Sequence, residues 1–209
     1  MSRPVDLLAE YDAAICRAQT PEARAWRERQ GWPRVAVLQG LGGGVARIAC
    51  AGDGTYEPTD REGVGTPAIL IPAWDGPAPG RRADLLDVIA WTPGNGQLIP
   101  RLGVADVIGA WAIHIAGRCM GESRPLRVFS DPRRWAAAAQ WDGEDSRGGH
   151  GVLIVNWAEA RGSLWHLVGN AEFVADDLLT GRRLKNALQP PKLPAARILV
   201  RADTTEVAA

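Results

Sequence analysis

"VLQGLGGGVARIA", residues 37–49, sets four glycines (Gly40, Gly42, Gly43 and Gly44) between two β-branched runs. Whether this loop opens a helix or a strand governs the architecture around it. A glycine-rich loop that opens a helix cradles phosphate, whereas one that leads into a strand is a turn. A Walker loop also requires a lysine directly after its last glycine, and the first lysine of the chain is Lys185. A dinucleotide fingerprint requires a third glycine, but counted from Gly40 that position is Val45, and counted from Gly42 it is Arg47. The next segment, "VARIACA", is strand-like. The residues therefore predict a hairpin turn between the strands "RVAVLQ" and "VARIACA", with glycines at positive φ.

Upstream, "PVDLLAEYDAAICRA" predicts an amphipathic helix with Val5, Leu8, Ala9, Ala13 and Cys16 on its apolar face. "TPEARAWRERQG" predicts a second helix, with Thr20 as N-cap, Pro21 in the first turn and Gly31 as its stop. Trp32-Pro33 then implies extended chain. Downstream, "AILIPAW" reads as a strand and "TPGNGQ" as a turn before "LIPRLG". "DLLDVIAW" fits a strand or a short helix, because the run is too brief for its period to decide. "VADVIGAWAIHIAG" reads as helical from its start.

From Pro125 the rhythm becomes alternating. "LRVFS", "VLIVNW", "AEFVA" and "ARILV" read as strands, separated by the helices "DPRRWAAAAQW", "AEARGSLWHL" and "DDLLTGRRLKNALQ". Such alternation predicts parallel pairing with crossover helices. The expected class is α/β. N-terminal helices and a mostly antiparallel sheet fill residues 1–122, a Rossmann-like parallel layer fills 123–202, and 203–209 form a tail.

Composition narrows the function. The chain has 209 residues, enough for one domain of upper ordinary size or two small ones. Hydrophobic residues make up 46%, a globular rather than disordered share. No apolar run approaches the ~18 residues of a membrane span and the N-terminus lacks a secretory segment, so a cytoplasmic protein with no membrane partner is expected. The formal net charge of +0 argues against a strongly steered polyanion binder. Only Lys185 and Lys192 are lysines, the other cations being arginines, a bias that accompanies GC-rich bacterial genomes and their phages. Cys16, Cys50 and Cys119, with His114, His150 and His166, form no metal-ligand spacing, so no metal and no cofactor are expected. The cysteines read as structural thiols in a reducing compartment. The nine tryptophans read mainly as core, Trp74, Trp91, Trp111 and Trp157 among them.

Candidate binding residues fall in two groups. Asp131, Asn156 and Asp176 come after predicted strands, where α/β layers bind ligands, although Asp131 and Asp176 also suit N-caps and Asp177 a helix dipole. Together they define a candidate strand-edge site for a small phosphorylated molecule. Arg182, Arg183, Lys185, Lys192, Arg197 and Arg201 form the most basic stretch, a candidate phosphate-contacting patch for nucleic acid. No GxSxG occurs, and Ser123, Ser130, Ser146 and Ser163 stand in contexts that identify no nucleophile.

The order "ARAWRERQGWP", "GGVARIA", "TPAILIPAWDG", "LRVFSDPRRWAAA", "GVLIVNWAEA" resembles the region after the zinc ribbon in phage and plasmid primases, where a small domain precedes a Toprim domain. The resemblance implies a Toprim-like layer whose magnesium-binding positions fall near Ser130 or Asp131 and on Asn156-Trp157-Ala158. It also implies that the metal chemistry is lost, since no Asp-x-Asp occurs in the chain. The expected function is then a non-catalytic, primase-related accessory protein of a phage or mobile element. It would bind nucleic acid and work beside another replication or phage protein. The alternatives are a small-molecule or nucleotide-binding enzyme using the strand edge, and a protein–protein interaction module.

Overall fold

The computed structural model describes residues 5–38, 40–59, 63–75, 84–118, 125–138 and 151–189. It is a mixed α/β protein with two sheets. The first is antiparallel throughout, in the order β2-β1-β3-β4-β5: β1 Gly44–Cys50, β2 Tyr56–Pro58, β3 Thr66–Asp75, β4 Asp84–Thr92 and β5 Gln97–Pro100. The second is mixed, in the order β6-β8-β7-β9: β6 Val107–Ile108, β7 Leu126–Phe129, β8 Val152–Ile154 and β9 Phe173–Ala175. β7 runs parallel to both β8 and β9, while β6 is antiparallel to β8.

Two helix stops organise the N-terminal part. Helix α1 (Leu7–Arg17) is capped by Asp6, and α2 (Pro21–Arg29) by Thr20, whose hydroxyl accepts from the Ala23 N–H. At Gly31 (φ +78°) the N–H bonds from Gly31 to the Glu28 carbonyl and from Trp32 to the Arg27 carbonyl close α2 as a Schellman motif. The same device recurs nine residues later and corrects the expected strand "RVAVLQ". Arg34–Leu38 is a short helix, α3, opened by Pro33 and closed by N–H bonds from Gly40 to Val37 and from Leu41 to Ala36. Burial overrides the β-branched composition here, because the helical turn delivers Ala36 and Val37 to the core.

The glycine loop is therefore a helix-to-strand connection and not a hairpin. Gly40, Gly42 and Gly43 do adopt positive φ, and the loop leads into a strand rather than a helix. Close packing explains the second and third glycines. A Cβ at Gly42 would stand 3.1 Å from the Ile71 Cα, and one at Gly43 2.9 Å from the Val37 methyl and 3.0 Å from the Trp32 Nε1. The buried Arg27 guanidinium fixes the loop by donating to the Gly43 carbonyl at 2.8 Å.

Three other expectations need correction. The buried face of α1 carries Tyr11 and Ala14, with Leu7 and Ile15 alongside; Val5, Leu8, Ala9, Ala13 and Cys16 face outward. "VADVIGAWAIHIAG" opens as strand β6, and the helix α4 (Ala110–Arg118) comes second. Cys16 and Cys50 are exposed thiols rather than packed ones. "DLLDVIAW" is strand β4, and its continuous apolar run has a clear cause. Ile89 and Trp91 face one core while Val88 and Ala90 face another, so both faces are covered. β2 lies in the segment between β1 and β3, among polar and turn-forming residues. The expected strand "ARILV" and the 203–209 tail lie outside the described residues.

Three cores stack through the molecule. Helix α1 covers the outer face of the first sheet. The inner face shares a core with α3, with α5 (Pro132–Ala138) and with Phe129 and Leu153 of the second sheet. The far face of the second sheet, Leu126, Val128, Val152 and Ile154, packs under α4, α6 (Ala160–Leu164) and α7 (Leu178–Leu188). Helices thus lie on both faces of the second sheet. Of the expected core tryptophans, Trp91 is buried, whereas Trp74, Trp111 and Trp157 are partly so. No helix among the described residues is long and apolar enough to cross a membrane.

Candidate functional site

Parallel pairing sends the carboxyl ends of β7, β8 and β9 to one edge. From β7 the chain crosses through α5 to β8 on one side, then returns through α6 to β9 on the other. The order therefore reverses between β7 and β9, which is where open α/β sheets present a crevice. Two contacts join the loops there: the Ser130 and Thr180 hydroxyls are 2.6 Å apart, and Arg134 donates to the Asp176 carbonyl at 3.3 Å.

Asp131, Asn156 and Asp176 all lie at this edge, but only one keeps its side-chain oxygens unspent. Asp131 caps α5, taking the Arg133 N–H at 2.8 Å and the Arg133 guanidinium at 3.0 Å. Burial, the largest single influence, pushes its carboxyl upward, yet the Arg133 bonds together hold it below the usual carboxylate range. Asn156 is exposed, and its side-chain oxygen accepts from the Ala158 N–H at 3.0 Å, closing a local turn. Asp176 differs. The expectation that it caps α7 is overturned, because Asp177 takes the Thr180 N–H at 2.7 Å and is the cap. The chain is still strand-like at Asp176, whose N–H donates to the Val128 carbonyl.

The Asp176 side chain is 3% exposed, and neither carboxylate oxygen has a hydrogen-bond partner. Its nearest cation is the Arg134 guanidinium at 3.9 Å, which also holds the Asp177 carboxylate at 3.3 Å. Buried carboxylates are nearly always bonded, so this one calls for a reason.

A cleft of about 460 Å³ opens beside it. Strand alternation places Arg127 and Phe129 of β7 on the same face as Val174 and Asp176, under Arg134 and Ala137 of α5. The Arg127 guanidinium sits 5.3 Å above the centre of the Phe129 ring, and no carboxylate among the described residues pairs with it. Ala137 and Ala138 keep the α5 wall low. The cleft thus joins two guanidinium groups, an aromatic floor and an acceptor without a donor. The sequence reading missed Arg127 and Arg134. Arg127 had a signal, being a charge inside the four-residue strand "LRVF".

Elsewhere on this edge burial raises the Asp106 carboxyl, helped by the Glu159 charge and opposed by a Ser163 hydrogen bond. No group of three His, Cys, Asp or Glu that could share a metal ion occurs among the described residues. Of the basic stretch, Arg182, Arg183 and Lys185 are exposed on α7, opposite the buried Thr180 and Leu184. Lys192, Arg197 and Arg201 lie outside the described residues, as do Cys119, His150, Ser123 and Ser146.

Comparison with known proteins finds no matching family model, no matching curated protein and no matching solved structure.

Proposed function

We propose that the chain binds a small phosphorylated molecule at the carboxyl edge of its second sheet. The observation that carries this reading is the Asp176 carboxylate, buried and without a hydrogen-bond partner beside a cleft that also holds Arg127 and Arg134. A protein keeps such a group at a cost to stability, and functional sites are where that cost recurs. Arginine suits the anionic end of the ligand, since its planar fork matches phosphate oxygens bidentately. The parallel run of β7, β8 and β9, with helices on both faces, is the kind of arrangement whose strand ends bind ligands. At the strand ends where a Toprim domain carries its acids, this chain has Ser130 and Asp131, and Asn156. If the resemblance holds, Asp131 is the one acid among them, which favours binding over metal-assisted chemistry.

Inorganic pyrophosphate is the first probe. Saturation at a hundred-fold excess over Kd adds about 2.7 kcal/mol to unfolding, read as a rise in Tm. The rise should vanish in Arg127→Ala. An unchanged Tm for the native chain would contradict the reading.

A second reading rests on α7. Arg182, Arg183 and Lys185 face solvent, and none forms an ion pair among the described residues. Such a face favours the nucleic-acid-binding accessory protein of a phage or mobile element, in a cytoplasmic setting. Its signature is affinity for single- or double-stranded DNA that falls steeply with salt and weakens in Arg182→Ala/Arg183→Ala. Absence of binding at low salt would remove it.

A further inference from the structure

The cleft has an internal polarity that narrows its ligand. Both oxygens of Asp176 lack donors, so the group facing them supplies two adjacent N–H or O–H bonds. Arg127 starts one strand across from Asp176 and two residues back, a Cα separation of about 8 Å on ordinary sheet spacings. Its guanidinium lies over the Phe129 ring, on the Asp176 side of its own Cα. A vicinal diol supplies two such adjacent O–H donors, and a ribose 5-phosphate carries that diol and a phosphate on one ring.

Resting on the proposed site, we infer that it takes a ribose 5-phosphate unit, with the vicinal diol on Asp176 and the phosphate on Arg127. Arg134 acts as the exchangeable cover. It stands 3.9 Å from the Asp176 carboxylate, whose oxygens are buried, and its own side chain is 54% exposed. When the diol arrives, Arg134 swings from the carboxylates onto the phosphate. The empty site is thereby held together by one cation, and the filled site by two that face the anion.

Calorimetric titration of the full chain with adenosine 5′-monophosphate, its 2′-deoxy analogue and ribose 5-phosphate tests this. The native chain should bind the ribonucleotide roughly ten-fold more tightly than the deoxy form, the scale of one hydrogen bond to a charged acceptor. Asp176→Asn, with its fold checked by Tm, should abolish that ratio while Arg127→Ala weakens all three ligands. Binding of ribose 5-phosphate as tight as that of the nucleotide identifies a sugar phosphate as the source, and weaker binding identifies a nucleotide. Equal affinities for the ribo and deoxy forms, both lost in Arg127→Ala, would overturn the diol assignment and leave the phosphate site standing. Failure of all three together with pyrophosphate would overturn the site itself.

Discussion

Two buried aspartates, one in each sheet, are treated in opposite ways. Asp87 in β4 is fully buried and accepts five backbone N–H bonds, from Val88, Arg101, Leu102, Val104 and Ala105. Its two oxygens fix the whole turn that leads from β5 towards β6. Asp176, after β9, is almost as deeply buried and accepts none. In the first sheet the buried acid is paired, although the Trp74 indole N–H is buried without a partner. There Arg101 forms a bidentate pair with Glu10 at 2.8 and 3.1 Å, and Arg47 donates to the Val64 and Gly65 carbonyls at 2.7 and 2.6 Å. The second sheet ends at an edge where one carboxylate awaits a donor. Burial is common to both acids; the number of hydrogen-bond partners is what separates them.

The largest expected effect lies on the scaffold side of this contrast. Asp87→Ala removes the acceptor shared by five backbone N–H groups, those of Val88 and Ala105 buried, and should cost about 3–5 kcal/mol in urea unfolding. A loss below about 1 kcal/mol would undo the contrast between the two aspartates. Gly43→Ala comes next. Its φ of +120° and the 2.9 Å approach to Val37 forbid a side chain, and about 2 kcal/mol should be lost in thermal unfolding. Asp131→Ala should cost about 1 kcal/mol, the usual worth of an N-cap. Because the Asp131 carboxyl is held below its ordinary range, its contribution is complete at neutral pH and is lost as pH falls through the folded value. The variant should accordingly show a shallower loss of stability in acid. Asp106, whose carboxyl is raised, has the opposite sign and opposes folding as pH rises through its folded value. Smallest of all, replacing Arg182, Arg183 and Lys185 by alanine should move stability by no more than about 0.5 kcal/mol. A larger loss would place α7's cations in the fold rather than on a binding face.

Much of the scaffold was legible because its signals are local. Thr20-Pro21 and Gly31 bracket α2, "TPGNGQ" turns β4 into β5, and Asp131-Pro132 opens α5. The glycine cluster misled in one respect. Gly40 is the C′ residue of a Schellman stop, which "VLQG" announces, but the valines before it argued for strand. The face of α1 was misassigned because the chain buries Tyr11 rather than Leu8, and only the sheet beneath it decides that. At the site, the strand ends were readable and the fate of each polar atom was not. Asp176 and Asp177 are adjacent, and which of them caps α7 depends on where β9 ends. Arg134 reaches the site from a helix 42 residues earlier in the chain, a pairing no local pattern encodes.

The central claim stands or falls on the unfolding free energy of Asp176→Asn without ligand. The substitution keeps the shape and removes the charge. If Asp176 is retained for a ligand, the variant should be as stable as the native chain or more so, since a buried carboxylate without hydrogen bonds, its cation 3.9 Å away, is unfavourable to the fold. A loss approaching that of Asp87→Ala would mean that the carboxylate holds the structure together, and the site would have to be sought elsewhere.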